Sequence, residues 1–393
     1  MTHTQSEDTM TSEWKTVKLG EIAQINPTET LKKGTTAKKV AMENLRPYCR
    51  DIPEYELSEY NGGAKFRNGD TIMARITPCL ENGKIAKVGI LDEGEVGFGS
   101  TEFIVFRANE GYDEDFVYYL VYSSDVKAPA IKSMVGSSGR QRVQTDVVQN
   151  LQLRVPPLDV QRKIAAVLKP LDDKIELNAR INARLERVTQ ALFKRHFVRF
   201  EPYGGTMPPG WRVGTLSEIA HITSGKRPPV KSQESTEKMN IPLVGAASVM
   251  GFTNVANHTD KILIIGRVGT HGVVQRFNSP CWASDNTLII TSGFYEYVYQ
   301  QLHLIDYSNL NRGSTQPLIT QGDMNKIKLL IPTEDALNEY EELAGTLMRL
   351  VEHNTDESRT LARLRDVLLP RLMSGAVDVR QVNLNSIQKG GSR

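Results

Sequence analysis

The sequence predicts an α+β/mixed fold: two pseudo-repeated mixed α/β globules separated by a two-helix antiparallel coiled coil. Three observations carry that prediction. First, Trp14-Lys-Thr-Val-Lys-Leu-Gly-Glu-Ile-Ala-Gln-Ile25 returns as Trp211-Arg-Val-Gly-Thr-Leu-Ser-Glu-Ile-Ala-His-Ile222, 197 residues later. Second, Leu151-Gln-Leu-Arg-Val-Pro156 returns as Ile327-Lys-Leu-Leu-Ile-Pro332 at an offset of 176, which then holds without a gap for about forty residues. The second globule is thus 21 residues shorter, the difference between the two offsets. Third, a heptad seam follows each proline segment.

In the first globule, Asp70–Arg75, Lys84–Ile90 and Thr101–Phe106 are short β-rich runs with Gly, Pro and Asn turns between them, so each predicts a strand. Asp115–Tyr122 predicts a helix. In the second, Lys261–Ile265, Gly272–Arg276 and Thr287–Ile290 predict strands.

The heptad positions of the first helix are Ile164, Leu168, Leu171, Ile175, Asn178, Asn182, Leu185, Thr189 and Leu192. Those of the second are Tyr340, Ala344, Leu347, Val351, Asn354, Ser358, Leu361, Arg365 and Leu368. Pro170 predicts a kink or break, with an unbroken helix from about Leu171 to Arg195. Two seams of equal length in one chain can satisfy each other. Antiparallel pairing with matched ends sets Asn178 opposite Asn354, a polar pair that fixes register at some cost in stability. The predicted rod is about 55 Å long at 1.5 Å per residue.

The boundaries that follow are 1–13, a disordered tail; 14–157, the first globule; 158–200, its helix; 201–332, the second globule; 333–375, its helix; and 376–393, a flexible tail. The 393 residues include 48 Lys+Arg and 46 Asp+Glu, a net charge of +2, which argues against a globally basic nucleic-acid coat or an acidic solvating chain. At 39% hydrophobic residues the chain can build real cores. Its longest apolar runs, such as Lys261–Gly266, fall far short of the ~20 residues of a membrane helix. The polar, acidic N-terminus has no secretory h-region. Cys49, Cys79 and Cys281 are too few and too scattered for a disulfide framework or a zinc site. The expectation is a cytoplasmic protein with no membrane contact.

Catalytic signatures fail in turn. Ser224-Gly-Lys-Arg227 lacks the upstream glycine and the following hydroxyl of a phosphate loop. Gly97-Phe-Gly99 stops at two glycines, and the seven histidines show no paired metal spacing. Asn26-Pro27 lacks the aromatic ending by which adenine methyltransferases hold a flipped base. Asp70 with Glu81 and Lys84 lacks nuclease spacing and reads as a solvated turn. No catalytic residue, metal site or cofactor is expected.

Binding chemistry is present. Residues 158–200 carry 10 basic and 5 acidic side chains, whereas 14–155 balance at 19 each. A solvated helix face explains that excess as well as nucleic acid does. The loops are more informative, because cations meet phosphates while Arg, Asn, Gln, Ser and Thr reach base edges. Gly136-Ser-Ser-Gly-Arg-Gln-Arg142 and Gly313-Ser-Thr-Gln-Pro317 hold matching places before the last strand of each globule. Met73-Ala-Arg-Ile-Thr-Pro78 matches Ile265-Gly-Arg-Val-Gly-Thr-His-Gly272: an arginine at a strand end, then a polar turn. Ser224–Pro229 is a further basic turn. The candidate DNA-binding residues are Arg75, Thr77, Lys84, Arg140, Gln141, Arg142, Lys226, Arg227, Arg267, Thr270, His271, Ser314 and Gln316. The incidental alternative is an ordinary polar hairpin turn.

The chain resembles the specificity subunit of type I restriction-modification enzymes. Trp14…Leu19-x-Glu-Ile-Ala23 and Trp211…Leu216-x-Glu-Ile-Ala220 look like that family's domain openings. Val155-Pro-Pro-Leu-x-x-Gln161-Arg-Lys-Ile164 looks like the start of its first conserved helix, and Leu192-Phe-Lys-Arg-His-Phe197…Pro202…Trp211 like its central junction. Leu369-x-x-Leu372-x-Ser-Gly375 looks like its C-terminal end. The second helix departs from the pattern, opening Pro332-Thr-Glu-Asp rather than Pro-Pro followed by Gln. The resemblance implies two target recognition domains, each reading one half of an asymmetric bipartite site in double-stranded DNA. It implies that the helices set the spacer and dock two modification (methyltransferase) subunits, with restriction (motor-nuclease) subunits completing the complex. S-adenosylmethionine, ATP and Mg would then be bound by those partners. The alternatives are a coiled-coil adaptor without DNA specificity and an enzyme with unrecognised sites.

Overall fold

A computed structural model describes residues 13–268, 272–307 and 318–381. The chain divides into two compact units, Met1–Arg180 with Asn354–Arg393, and Ile181–His353. Each unit therefore takes one segment of both long helices, a partition that a linear list of domains cannot express.

In the first unit, β1 (Lys15–Lys18) leads into a single turn, α1 (Leu19–Ile22), and then β2 (Ala23–Ile25), β3 (Thr36–Val40), β4 (Glu56–Glu59) and β5 (Ala64–Phe66). The strands β6 (Thr71–Ala74), β7 (Ile85–Lys87), β8 (Gly97–Gly99) and β9 (Phe103–Ala108) follow. Then come α2 (Glu114–Tyr122), α3 (Ser124–Lys132), α4 (Thr145–Gln149) and β10 (Gln152–Val155). The order β2-β9-β6-β7 forms one sheet, β4-β3-β8-β5 a second, and β1 pairs antiparallel with β10. β6 is buried along its whole length, as a continuous apolar run in a central strand demands. Asp113 caps α2 by accepting from the Phe116 N–H at 2.9 Å.

The second unit repeats this plan. β11 (Arg212–Thr215) pairs with β19 (Lys328–Ile331). β12 (His221–Ser224), β18 (Thr287–Thr291), β15 (Ile262–Gly266) and β16 (Val274–Phe277) form the counterpart sheet, in that order. β14 (Val249–Thr253), β13 (Ile241–Val244) and β17 (Trp282–Ala283) form the second sheet, with β13 parallel to β17 as β3 is to β8. Among the described residues β5 has no counterpart, which accounts for part of the shortening. A half-buried ion pair also repeats. Lys87 on β7 meets Asp115 at the start of α2. Arg276 on β16 meets Glu296 at the start of α6 (Tyr295–His303) at 2.6 Å.

The long helices are α5 (Leu158–Phe193) and, after the short α7 (Gln321–Asn325), α8 (Glu334–Met373). α5 passes Pro170 unbroken, so the expected break is corrected. Pro170 is exposed, while Ile164, Leu168 and Asp172 on the other face are buried at 2% exposure or less. Packing on that face outweighs the one lost backbone bond. The expected end at Arg195 becomes a π-turn over Lys194–Val198, which turns Phe197 into an aromatic cluster with Phe193, Trp211, Tyr297 and Tyr340.

The pairing is antiparallel within each unit. In the first, Asp172 meets Arg365 and Lys174 meets Glu357; in the second, Asn182 meets Val351 and Thr189 meets both Met348 and Tyr340. Asn178 is fully buried, and Val351 and Asn354 lie in the seam as expected. Leu171, Ile175, Leu185, Leu192, Leu347, Leu361 and Leu368 are only half-buried. Asp172, Phe193, Met348 and Leu369, each one position off the expected seam, are buried instead, and the expected Arg365 is buried as well. A helix of 3.6 residues per turn drifts against a strict heptad, and globule contacts on a second face draw the neighbouring residue inward. Asn178 meets the backbone of Asn354. Its Nδ2 donates to the Asn354 carbonyl at 3.2 Å, Glu357 Oε2 at 2.8 Å and Ser358 Oγ at 3.2 Å.

Two further expectations change. Asp70 is not in a solvated turn: it is buried and ion-paired to Arg107 at 2.6 Å. The tail does not start at 376. Gly375, at φ 77°, turns the chain back, the Val377 N–H donates to the Arg371 carbonyl, and Val379 is buried in the core. Among the described residues, no helix is long and apolar enough to cross a membrane.

Candidate nucleic-acid interface

In each unit the central antiparallel strands deliver an arginine to one sheet end. β6 ends at Ala74, and Arg75 follows; its N–H donates to the Glu102 carbonyl at 2.8 Å, and its own carbonyl accepts from Val143. β15 ends at Gly266, and Arg267 follows; its N–H donates to the Asn286 carbonyl at 2.9 Å, and its carbonyl accepts from Ile319. Isolated bridges then join Ile76 to Arg142 and Val268 to Leu318. The expected equivalence of Arg75 and Arg267 is thus matched down to the backbone bonds. Each arginine also holds a buried Nε with no hydrogen-bond partner among the described residues. A buried donor without a partner is uncommon and costs free energy.

The glycine-rich loop of the first unit lies beside Arg75. The Thr77 N–H and hydroxyl both donate to the Gln141 carbonyl at 3.0 Å, and the Gln141 N–H donates back to the Thr77 hydroxyl. Thr77 is therefore a staple that holds the loop. Gly136, at φ 137° and tight against the Arg140 carbonyl, closes the same turn and leaves Arg140 exposed at its tip. Arg142 is bound fork-on by Glu102, its Nη2 donating to Oε1 at 2.7 Å and its Nε to Oε2 at 3.0 Å. That hydrogen-bonded guanidinium lowers the pKa of Glu102. Lys84 lies elsewhere: its ammonium donates to the Met42 carbonyl at 2.8 Å, a tie within the fold.

In the second unit, Lys226 and Arg227 are exposed just past β12. The Gly225 N–H donates to the Thr287 carbonyl, and the Lys226 N–H to the Ala283 carbonyl. A Cβ at Gly225 would stand 1.9 Å from the Ser284 carbonyl oxygen, so only glycine fits this approach. Lys226 and Arg267 thus flank the start of β18. Thr270, His271, Ser314 and Gln316 lie outside the described residues.

Sequence reasoning missed Glu102 and Asn286, the equivalent residues opening β9 and β18. A signal was present: Ser100-Thr-Glu-Phe103 and Ser284-Asp-Asn-Thr287 share a serine two positions earlier. Among the described residues no cluster of three His, Cys, Asp or Glu is placed to hold a metal.

Comparison with known proteins agrees with this architecture. The family described as type I restriction modification DNA specificity domain matches residues 11–187 and 208–357. The HindI type I restriction enzyme specificity subunit of Haemophilus influenzae is 23% identical over 79% of this chain and 87% of its own length. The MjaIX specificity subunit of Methanocaldococcus jannaschii is 23% identical over 70% of this chain and 71% of its own. The crystal structure of the type I restriction-modification S subunit from M. genitalium superposes with a TM-score of 0.58 at 15% identity, covering 91% of this chain and 96% of that one.

Proposed function

The chain belongs to the type I restriction-modification DNA specificity family, as a non-catalytic specificity subunit, and from that premise we propose how it reads DNA. Each unit reads one half of an asymmetric bipartite site in duplex DNA. The base-reading groups are Arg75, Arg140 and Gln141 in the first unit, and Arg267, Asn286, Lys226 and Arg227 in the second. The observation that carries this is the matched pair of arginines that follow equivalent strand ends and share the same backbone bonds. Guanidinium groups so placed suit bidentate contact with guanine O6 and N7. Unequal loops around matched arginines support two different half-sites. The paired helices set the spacer and dock two modification subunits, which bind S-adenosylmethionine. Restriction subunits that use ATP and Mg complete the assembly.

Arg75→Ala and Arg267→Ala test the proposal on duplexes carrying the site found by methylome sequencing. Each should lose about 1–3 kcal/mol of specific binding and relax one position of one half-site. Unchanged affinity and selectivity in both variants would place the reading surface elsewhere.

A further inference from the structure

The helix-pairing surface carries one buried ion pair that its own repeat does not reproduce. Asp172 on α5 and Arg365 on α8 are each 2% exposed and meet at 2.7 Å. Asp172 also accepts from the Tyr119 hydroxyl at 2.8 Å. Arg365 also donates to the Tyr122 hydroxyl at 2.8 Å and the Tyr48 carbonyl at 3.2 Å. Asp366 forms a further ion pair with Arg365 at 2.9 Å. The 176-residue offset carries Asp172 onto Met348 and Thr189 onto Arg365. Those two residues meet in the second unit, where the Thr189 hydroxyl lies 3.9 Å from Met348 Sδ and donates to the Leu185 carbonyl. One crossing point of the pseudo-symmetric helix pair is therefore ionic, and its symmetry mate is neutral.

Two helices that share a heptad pattern can also pair with copies of themselves. In an antiparallel α5–α5 pair between two chains, the same register sets Asp172 opposite Thr189, twice. In an α8–α8 pair it sets Arg365 opposite Met348, twice. The first leaves Asp172 buried without its counter-charge and the second leaves Arg365 only the exposed Asp366, and either is costlier than keeping the pair together. We infer that Asp172 and Arg365 make the pairing surface selective for its unlike helix and exclude homotypic pairing with a second copy of the chain. The neutral Thr189–Met348 crossing supplies this selectivity, because two ionic crossings would be complementary in every pairing.

The full-length chain tests this. In a homotypic α5 pair the Asn178–Ser358 contact becomes Asn178 against Asn182 of the second copy, so a mixture of Asn178→Cys and Asn182→Cys chains reports that pairing as a disulfide between the two introduced thiols, identified by peptide mapping. The two chains are mixed, unfolded, refolded at increasing concentration and oxidised. Without further changes they should give little of this dimer. Adding D172M/R365T, which copies the neutral crossing, should raise the yield at least tenfold. D172N/R365Q, nearly isosteric, should raise it in the same direction and decides the matter where the first variant fails to fold. A yield equal to that of the N178C and N182C mixture without these changes, in whichever of the variants folds, would overturn the inference.

Discussion

At the scale of single residues, Glu102 controls how much of the first unit's positive charge is available. Its carboxylate holds Arg142 in a two-pronged grip, and that contact keeps Glu102 ionised. Glu102→Ala therefore frees a guanidinium next to Arg75. We expect tighter binding to random duplex and a steeper decline of affinity with salt, by about one unit of log–log slope. Titration of binding against ionic strength checks this, and an unchanged slope would mean that Arg142 never reaches a phosphate. Glu341 behaves in the opposite way. Burial pushes its carboxyl up from 4.5 to about 7, although it accepts from the Glu296 and Tyr297 N–H groups at 3.1 and 2.7 Å at the start of α6. The native state then binds more protons than the unfolded chain between those pH values, so stability falls as pH rises through that window. The swing is roughly 1–3 kcal/mol after allowance for partial exposure. Glu341→Gln should flatten it, leaving denaturation midpoints at pH 5 and 8 closer together than in the wild type.

At the scale of elements, α5 and α8 owe their pairing to a mixture of apolar and polar contacts that periodicity alone does not describe. Arg365 occupies a heptad position, and the seam could not announce that its counter-ion would be Asp172, one residue off the expected Leu171. Arg365→Met should destabilise the first unit by about 3–5 kcal/mol, because it leaves Asp172 buried without a cation. Thr189→Ala, at the equivalent place in the second unit, removes a neutral hydroxyl and should cost about 1 kcal/mol. Urea denaturation of the two variants compares them, and equal losses would show that the charge of Asp172 is compensated some other way. Strand positions were legible for a simpler reason. The centres of β6, β9, β15 and β18 are unbroken apolar runs, Ile72–Ala74, Phe103–Phe106, Ile262–Ile265 and Leu288–Ile290, as burial in a central sheet favours. β5 and β17 have only three and two residues, β13 carries a proline and β14 a glycine, and no local signal separates them from loop.

At the scale of the whole molecule, the proposed role of the helices as a spacer predicts a change in the site's length without a change in its letters. A heptad inserted into both helices, near Asn178 and Asn354, preserves the seam phase and lengthens each helix by about 10 Å. That corresponds to about three base pairs at ~3.4 Å each, and to a turn of roughly 100° given ~10.5 base pairs per turn. Methylation at the original spacing should be lost, while any newly accepted site keeps both half-site sequences. Methylome sequencing of cells carrying the variant reads both outcomes together. Retention of the original spacing at the original rate, in a variant that folds and assembles, would separate the helices from the measurement of distance.

By itself the sequence determined the duplication, the two seams and the equivalence of Arg75 with Arg267. Each of these is written as spacing along the chain, and a repeated fold must repeat the local patterns that build it. Only the tertiary structure decided which polar residues are occupied. Thr77, Lys84 and Arg142 look as available as Arg140 in the sequence, yet they are tied to Gln141, Met42 and Glu102. It likewise drew Glu102 and Asn286 beside the two arginines, and set Asp172 against Arg365. The physical reason is common to all of them: a polar group's partner is chosen by proximity in three dimensions. Those partners stand 19, 27, 40, 42, 64 and 193 residues apart in the chain, where no local periodicity reaches.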